Sequence, residues 1–195
     1  ERVKADINRL IEELQKGVPP LEEPSLRDLL QKHLKSGALS FTSDFSQVKN
    51  CDAVFLTFDT PVLEDDTPDV TPLFDAVKKL APHVKRDALF VVMSQVPVST
   101  TQKLFNAMKE VNPALACELV YFPENLQLGR ALECFLKPDR IVIGTDTESA
   151  KERIDTLLKN ISSPRLFMNI ASAEMSKHAL NAFLATSLSF IYNIS

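Results

Sequence analysis

Five short apolar runs recur along the chain, at 52–58, 88–94, 118–122, 140–144 and 165–169, and each gap between them carries a helical pattern. Parallel strands cannot be joined by tight turns and need a crossover, usually a helix. Strands that alternate with helical stretches therefore predict right-handed βαβ units, a mainly parallel sheet and an α/β class. The helical patterns have readable starts. Thr71-Pro72 reads as N-cap and first position of a helix to Ala81. Ser99 with Gln102, and Thr145 with Glu148, read as capping boxes for helices to Val111 and Asn160. A short helix is expected over Arg130–Phe135. Two runs, DAVFLTF (52–58) and ALFVVMS (88–94), have the continuous apolar character of strands buried on both faces. Ahead of them, the chain predicts a helix over Glu1–Lys16 stopped by Gly17, and a second from Pro24 to Ser36. A short strand at Leu39–Thr42 and a single turn capped by Asp44 follow. An acidic loop spans Asp59–Asp69. From Ala171 to the end runs one helical pattern that is apolar nearly all round, a character that calls for burial by other domains or a second subunit.

The charge balance excludes some functions. With 22 basic against 26 acidic residues the net charge is −4, so no basic footprint for nucleic acid exists. The apolar runs are too short or interrupted for a membrane span. The opening ERVKAD is charged, and no secretory signal is expected there. Cys51, Cys117 and Cys134 form no metal signature, and reduced thiols in a cytoplasmic setting are expected. No metal site is expected. The four glycines, Gly17, Gly37, Gly129 and Gly144, lie far apart, so no glycine-rich phosphate cradle can be built from them.

Two places carry candidate chemistry. In YFPENLQLGRALECFLKPDRIVIG (121–144) an apolar run stops at Pro123-Glu124. Ligands of open α/β sheets sit beyond the carboxyl ends of strands, so Glu124 is either a solvated residue after a strand terminator or a carboxylate placed for chemistry. In the final helix Glu174, Lys177 and Asn181, at i, i+3 and i+7, share one face. They read either as a Glu174–Lys177 pair with Asn181 at a helix crossing, or as donors aimed at an anionic or hydroxyl-rich ligand.

These pieces fit one pattern. ERVKADINRLIEELQKGVPPLEEPSLRDLL, with Gly17 and Glu23-Pro24-Ser25-Leu26, resembles the segment after the second strand of the UDP-glucose/GDP-mannose dehydrogenase family. DAVFLTFDTPV is similar to the family's strand ending in Thr-Pro, here Thr60-Pro61. VVMSQVPVSTT resembles the next strand and its Ser-Thr-Val-Pro loop. YFPENLQLGRALECFLKPDRIVIG is similar to the Pro-Glu-Phe-Leu segment, and AEMSKHALNAFLATSLSFI resembles the start of the central helix. The resemblance covers essentially all 195 residues in order.

The resemblance implies a doubly wound, mainly parallel Rossmann-type sheet over 1–170, lacking its first βαβ portion. The start of a central dimerisation helix over 171–195 would follow. It implies a nucleotide-sugar dehydrogenase of the UDP-glucose 6-dehydrogenase kind. Such an enzyme oxidises the sugar C6 alcohol to a carboxylate in two steps, each reducing one NAD, with a cysteine holding the intermediate as thiohemiacetal and then thioester. Carried over by position, Glu124 is the general acid/base, Lys177 the oxyanion stabiliser and Asn181 a hydrogen-bond donor to the same oxygen or an ordered water. Thr60, Pro61, Ser94 and Gln95 line the NAD pocket. The partners implied are a UDP-sugar and a second copy in a homodimer. The GxGxxG unit and the nucleophilic cysteine motif would fall outside this sequence, which is expected to be an internal piece of a larger enzyme. Cys51 and Cys117 are expected as core residues. Some positions depart from the family: Asp59 stands where Gly or Asn is usual, Gln95 for a Thr, Asn125 for an aromatic and Leu128 for a second Glu. Asp59 would set a negative charge near a pyrophosphate, which predicts weakened NAD affinity. The competing expectations are a related UDP-N-acetyl-sugar or GDP-mannose dehydrogenase, a non-catalytic binding or dimerisation remnant, and a β-hydroxyacid dehydrogenase. Pro123-Glu124 and the EPSL turn speak against the last.

Overall fold

Phe90, Val91 and Val92 are completely buried, as expected of strand β2 (Leu89–Val92), an interior strand of a five-stranded sheet. The computed structural model describes residues 2–64 and 67–194; Glu1, Ser195, and Asp65 and Asp66 of the acidic loop lie outside the described residues. β1 (Ala53–Leu56) and β3 (Glu118–Tyr121) flank β2, both parallel to it, with Val54 opposite Phe90 and Phe90 opposite Leu119. β4 (Ile141–Gly144) and β5 (Arg165–Met168) form a second parallel pair. The two groups meet at Tyr121–Gly144, and there the pairing is antiparallel.

The mainly parallel expectation therefore holds for three of the four strand pairs, and the segment between β3 and β4 is a correction to it. Antiparallel neighbours need no helical crossover, and most of that segment, Asn125–Pro138, belongs to a different compact unit. The strand order is β1-β2-β3-β4-β5. The order follows the chain without turning back among the described strands, so the doubly wound description goes beyond what they display.

The chain divides into two units. The larger, Ser46–Glu124 with Asp139–Ser195, contains the whole sheet. Helices α3 (Thr71–Leu80) and α4 (Thr100–Val111) pack on each other, and Leu73, Val77, Leu104 and Met108 enter the core with no exposure. α6 (Glu148–Leu157) buries Ala150 and Ile154. Arg153 on α6 binds three strand entrances at once. One guanidinium nitrogen donates to the Asp87 carbonyl and the Glu118 carboxylate at 2.9 and 3.1 Å, and the other to the Asp52 carbonyl at 3.0 Å. α7 (Ile170–Ile194) follows β5 and lies against β4 at Gly144. A Cβ on Gly144 would fall 2.6 Å from the Ala173 Cβ and 2.9 Å from the Ile170 Cα, so only glycine permits this approach. Beyond its first turns α7 leaves Phe183, Leu184, Leu188, Phe190, Ile191 and Ile194 exposed.

The smaller unit comprises the residues up to Phe45, with Asn125–Pro138. It contains α1 (Arg2–Gln15), α2 (Leu26–Lys35) and α5 (Ala131–Leu136). Gly17 ends α1 at φ 75°, as its sequence position predicts. The Glu23 carboxylate accepts from the backbone of Gly129 and Ala131.

Other expectations are corrected. Leu39–Thr42 forms no strand; the Gln15 amide donates to the Phe41 carbonyl at 2.9 Å and Leu39 N–H to His33, which satisfies the segment without a ladder. β1 is not buried on both faces: Val54 and Leu56 are buried, whereas Phe55, on the opposite face, is 39% exposed. Thr71 lies inside α3, with Val70 as the N-cap. Thr147, not Thr145, caps α6, accepting from Ala150 N–H at 3.2 Å. Cys51 is exposed, whereas Cys117 is buried as expected and burial pushes its thiol pKa up.

Candidate active site

Side chains of α7 meet the strand-end loops within the larger unit. The first group lies beyond the carboxyl ends of β1 and β2. The Thr60 hydroxyl donates to the Gln95 carbonyl at 2.7 Å, tying the loop after β1 to the loop after β2. Pro61 is exposed beside it. Asp59 is also exposed, and its Oδ1 accepts from the Thr60 N–H at 2.9 Å. Ser94 is buried, and its Oγ finds no hydrogen-bond partner among the described residues.

The second group comes from α7. Lys177 donates through Nζ to the carbonyl of Glu124, immediately after the Pro123 that ends β3. Asn181, one turn further on, donates through Nδ2 to the Gln95 Oε1 at 2.8 Å. His178 places Nε2 at 2.7 Å from the Val96 carbonyl. The helical stripe that carries Lys177 and Asn181 thus meets both loops, and Gln95 joins Thr60 to Asn181 by accepting from each. Glu124, Lys177, Asn181, Thr60 and Gln95 are all half-buried.

The expected Glu174–Lys177 pair does not form. Glu174 has no exposure, and its two oxygens accept from the backbone N–H groups of Ser99 and Thr101. Those amides open α4, where an acceptor is needed because helix N-termini leave their first N–H groups unsatisfied. The expected capping box of Ser99 and Gln102 is absent: Ser99 sits at φ 72° and its side chain caps nothing. Gln102 instead donates to Asn106 at 3.0 Å. The acceptor comes from 75 residues further along the chain. Sequence reasoning missed Glu174 as a capping residue and His178 as a contact. The only available signal was that both lie on the same helical face as Lys177 and Asn181. Among the described residues no cluster of His, Cys, Asp or Glu could hold a metal, and no helix is long and apolar enough to cross a membrane.

Residues 3–162 match the model of the UDP-glucose/GDP-mannose dehydrogenase family, NAD binding domain. The chain belongs to the UDP-glucose/GDP-mannose dehydrogenase family. Its NAD-binding domain is the part of the family described here, and NAD is its cofactor. The curated relatives of this dehydrogenase family include UDP-glucose 6-dehydrogenase YwqF of Bacillus subtilis, 36% identical over 187 residues, covering 95% of this chain and 42% of the relative. The UDP-glucose 6-dehydrogenase of Rickettsia typhi is 34% identical over 189 residues, covering 93% and 42%. Among solved structures, a UDP-glucose dehydrogenase from the archaeon Pyrobaculum islandicum superposes with a TM-score of 0.89 at 35% identity, covering 94% of this chain and 44% of that one. A GDP-mannose dehydrogenase from Pseudomonas aeruginosa shares the fold, with a TM-score of 0.88 at 23% identity, covering 92% and 43%. The chain spans 42% of the length of the two curated dehydrogenases.

Proposed function

We propose that the protein carrying this chain oxidises the C6 alcohol of UDP-glucose to the carboxylate of UDP-glucuronate in two NAD-dependent steps. The observation that carries this reading is the meeting of Lys177, Asn181, Gln95 and Glu124 at the carboxyl ends of β2 and β3, where ligands of such sheets bind.

Each residue's environment supports a role. Lys177 is held against the Glu124 carbonyl, which supports its reading as the ammonium that stabilises the developing oxyanion. Asn181 is oriented by Gln95 and adds a polar amide next to that ammonium. Glu124 follows a buried proline, so its backbone cannot wander, and its carboxyl serves as general acid/base. The residues assigned to the cofactor fit a polar ligand: Ser94 carries a buried hydroxyl without a partner, and Thr60, Pro61 and Gln95 stand at the neighbouring strand ends. NAD, when bound, supplies the hydride acceptor. Asp59 keeps a carboxylate beside Thr60, which supports the expectation of weakened NAD affinity.

The assembly belongs to the same reading. The exposed apolar half of α7 is covered by a second copy, and a division near residue 170 separates the NAD-binding part from this dimerisation helix. Three free cysteines suit a cytoplasmic setting.

The test is absorbance of NADH when the full protein meets UDP-glucose and NAD. The expected result is two NADH per sugar. Activity with a UDP-N-acetyl-sugar or GDP-mannose instead would keep the enzyme class and change the substrate. No NADH with any of the three would favour a non-catalytic module.

A further inference from the structure

The loop between β2 and α4 contains a backbone outlier. Ser99 lies at φ 72°, in the left-handed region that is strained for a non-glycine residue and that persists only where its surroundings impose it. The residue that imposes it is Glu174, whose Oε2 accepts from Ser99 N–H at 2.5 Å and whose Oε1 accepts from Thr101 N–H at 2.9 Å. A carboxylate with no exposure is costly unless both oxygens are satisfied. Here they are, and the start of α4 adds the favourable end of a helix dipole. The same loop begins with Ser94 and Gln95 and carries Val96, whose carbonyl meets His178. Glu174 thus clamps the far end of the segment that bears the NAD-side residues, and His178 and Asn181 hold its near end.

We infer that Glu174 is a positioning residue for NAD binding, acting through the 94–101 loop and not by touching the ligands itself. This rests on the reading of Ser94 and Gln95 as cofactor residues. Lys177, one turn away on the same helix, has a separate contact at Glu124, so loosening the Ser99–Thr101 end of the loop should leave that sugar-side contact in place.

The experiment compares Glu174→Gln and Glu174→Ala with the unaltered full protein. Amide hydrogen exchange is followed over 94–101, and the dissociation constants of NAD and UDP-glucose are measured separately. Gln keeps one acceptor, whereas Ala removes both and is read only if its melting profile shows a folded protein. In Glu174→Gln the exchange of the Ser99 and Thr101 amides should quicken by about tenfold, the scale of one lost charge-assisted hydrogen bond. NAD binding should weaken severalfold while UDP-glucose binding changes by less than about twofold. Unchanged exchange, or equal weakening of both ligands, would overturn the inference. Quickened exchange with unchanged NAD binding would overturn it too. If the unaltered protein bound neither ligand, the cofactor reading would fail instead, and the exchange data would still decide whether Glu174 holds the loop.

Discussion

Asn181 on α7 and Gln95 after β2 are 86 residues apart in sequence and share a hydrogen bond of 2.8 Å. Gln95 accepts from both Asn181 and Thr60, its side chain and main chain serving different elements. Truncating Gln95 to Ala should therefore leave Asn181 without its orienting partner but keep the Thr60 contact, which uses the Gln95 carbonyl. The expected outcome is a fall in turnover of about tenfold with an unfolding midpoint near that of the unaltered protein, the size of one polar contact. Steady-state kinetics and thermal melting check both parts.

Lys177 to Ala removes the ammonium held against Glu124. Turnover should drop by at least ~100-fold, the scale of losing one oxyanion donor. A rate within a few-fold of the unaltered enzyme would remove Lys177 from the chemistry.

Asp59 to Asn keeps the oxygen that accepts from Thr60 N–H and deletes the charge. NAD affinity should rise by about threefold at low salt, and the gain should shrink as salt screens the site. Titration calorimetry at two ionic strengths reads it.

Tyr121 gives a pH prediction. It is fully buried, and burial, with the Glu174 charge as a second cause, pushes its pKa well above the ordinary 10.0. The Val96 backbone offsets part of the rise without closing a hydrogen bond of ordinary geometry. The folded state thus keeps its proton where the unfolded chain gives it up. The Tyr121 contribution to stability is intact below pH 10.0 and is lost progressively as pH rises above it. Tyr121→Phe should be neutral or stabilising near pH 7, since the hydroxyl is unpaired, and should lose less stability than the unaltered protein above pH 10.0. Denaturant unfolding across the alkaline range measures both.

Much of this was legible in the sequence because it depends on local pattern. The five strands, the stops at Gly17 and Gly37 and the gathering of Lys177 and Asn181 on one helix face follow from periodicity and from residues that set their own backbone. What was not legible depends on partners far along the chain. Nothing near Ser99 announces that its amide is served by Glu174, so a local capping box looked sufficient. Thr71 and Thr145 illustrate the milder version: several residues at each helix start could cap, and a neighbour one or two positions away takes the place. The antiparallel meeting of Tyr121 and Gly144 could not be read either, because the helical stretch between them suggested a crossover.

Gly144 to Ala should cost about 1–3 kcal/mol, the range for forcing extra volume into a packed core, since the added carbon would strike the Ala173 Cβ and the Ile170 Cα. Chemical denaturation gives the value, and the Lys177 and Asn181 contacts, carried on the displaced helix, should weaken in step with activity.

That close approach also governs what the protein can tolerate. Because α7 meets the main chain of β4 at Gly144, its height above the sheet there is set by backbone atoms and the small Ala173 methyl, which changes elsewhere in the core do not resize. The core can exchange one aliphatic residue for another over time while the distance from the sheet to the helix face bearing Lys177 and Asn181 stays constant.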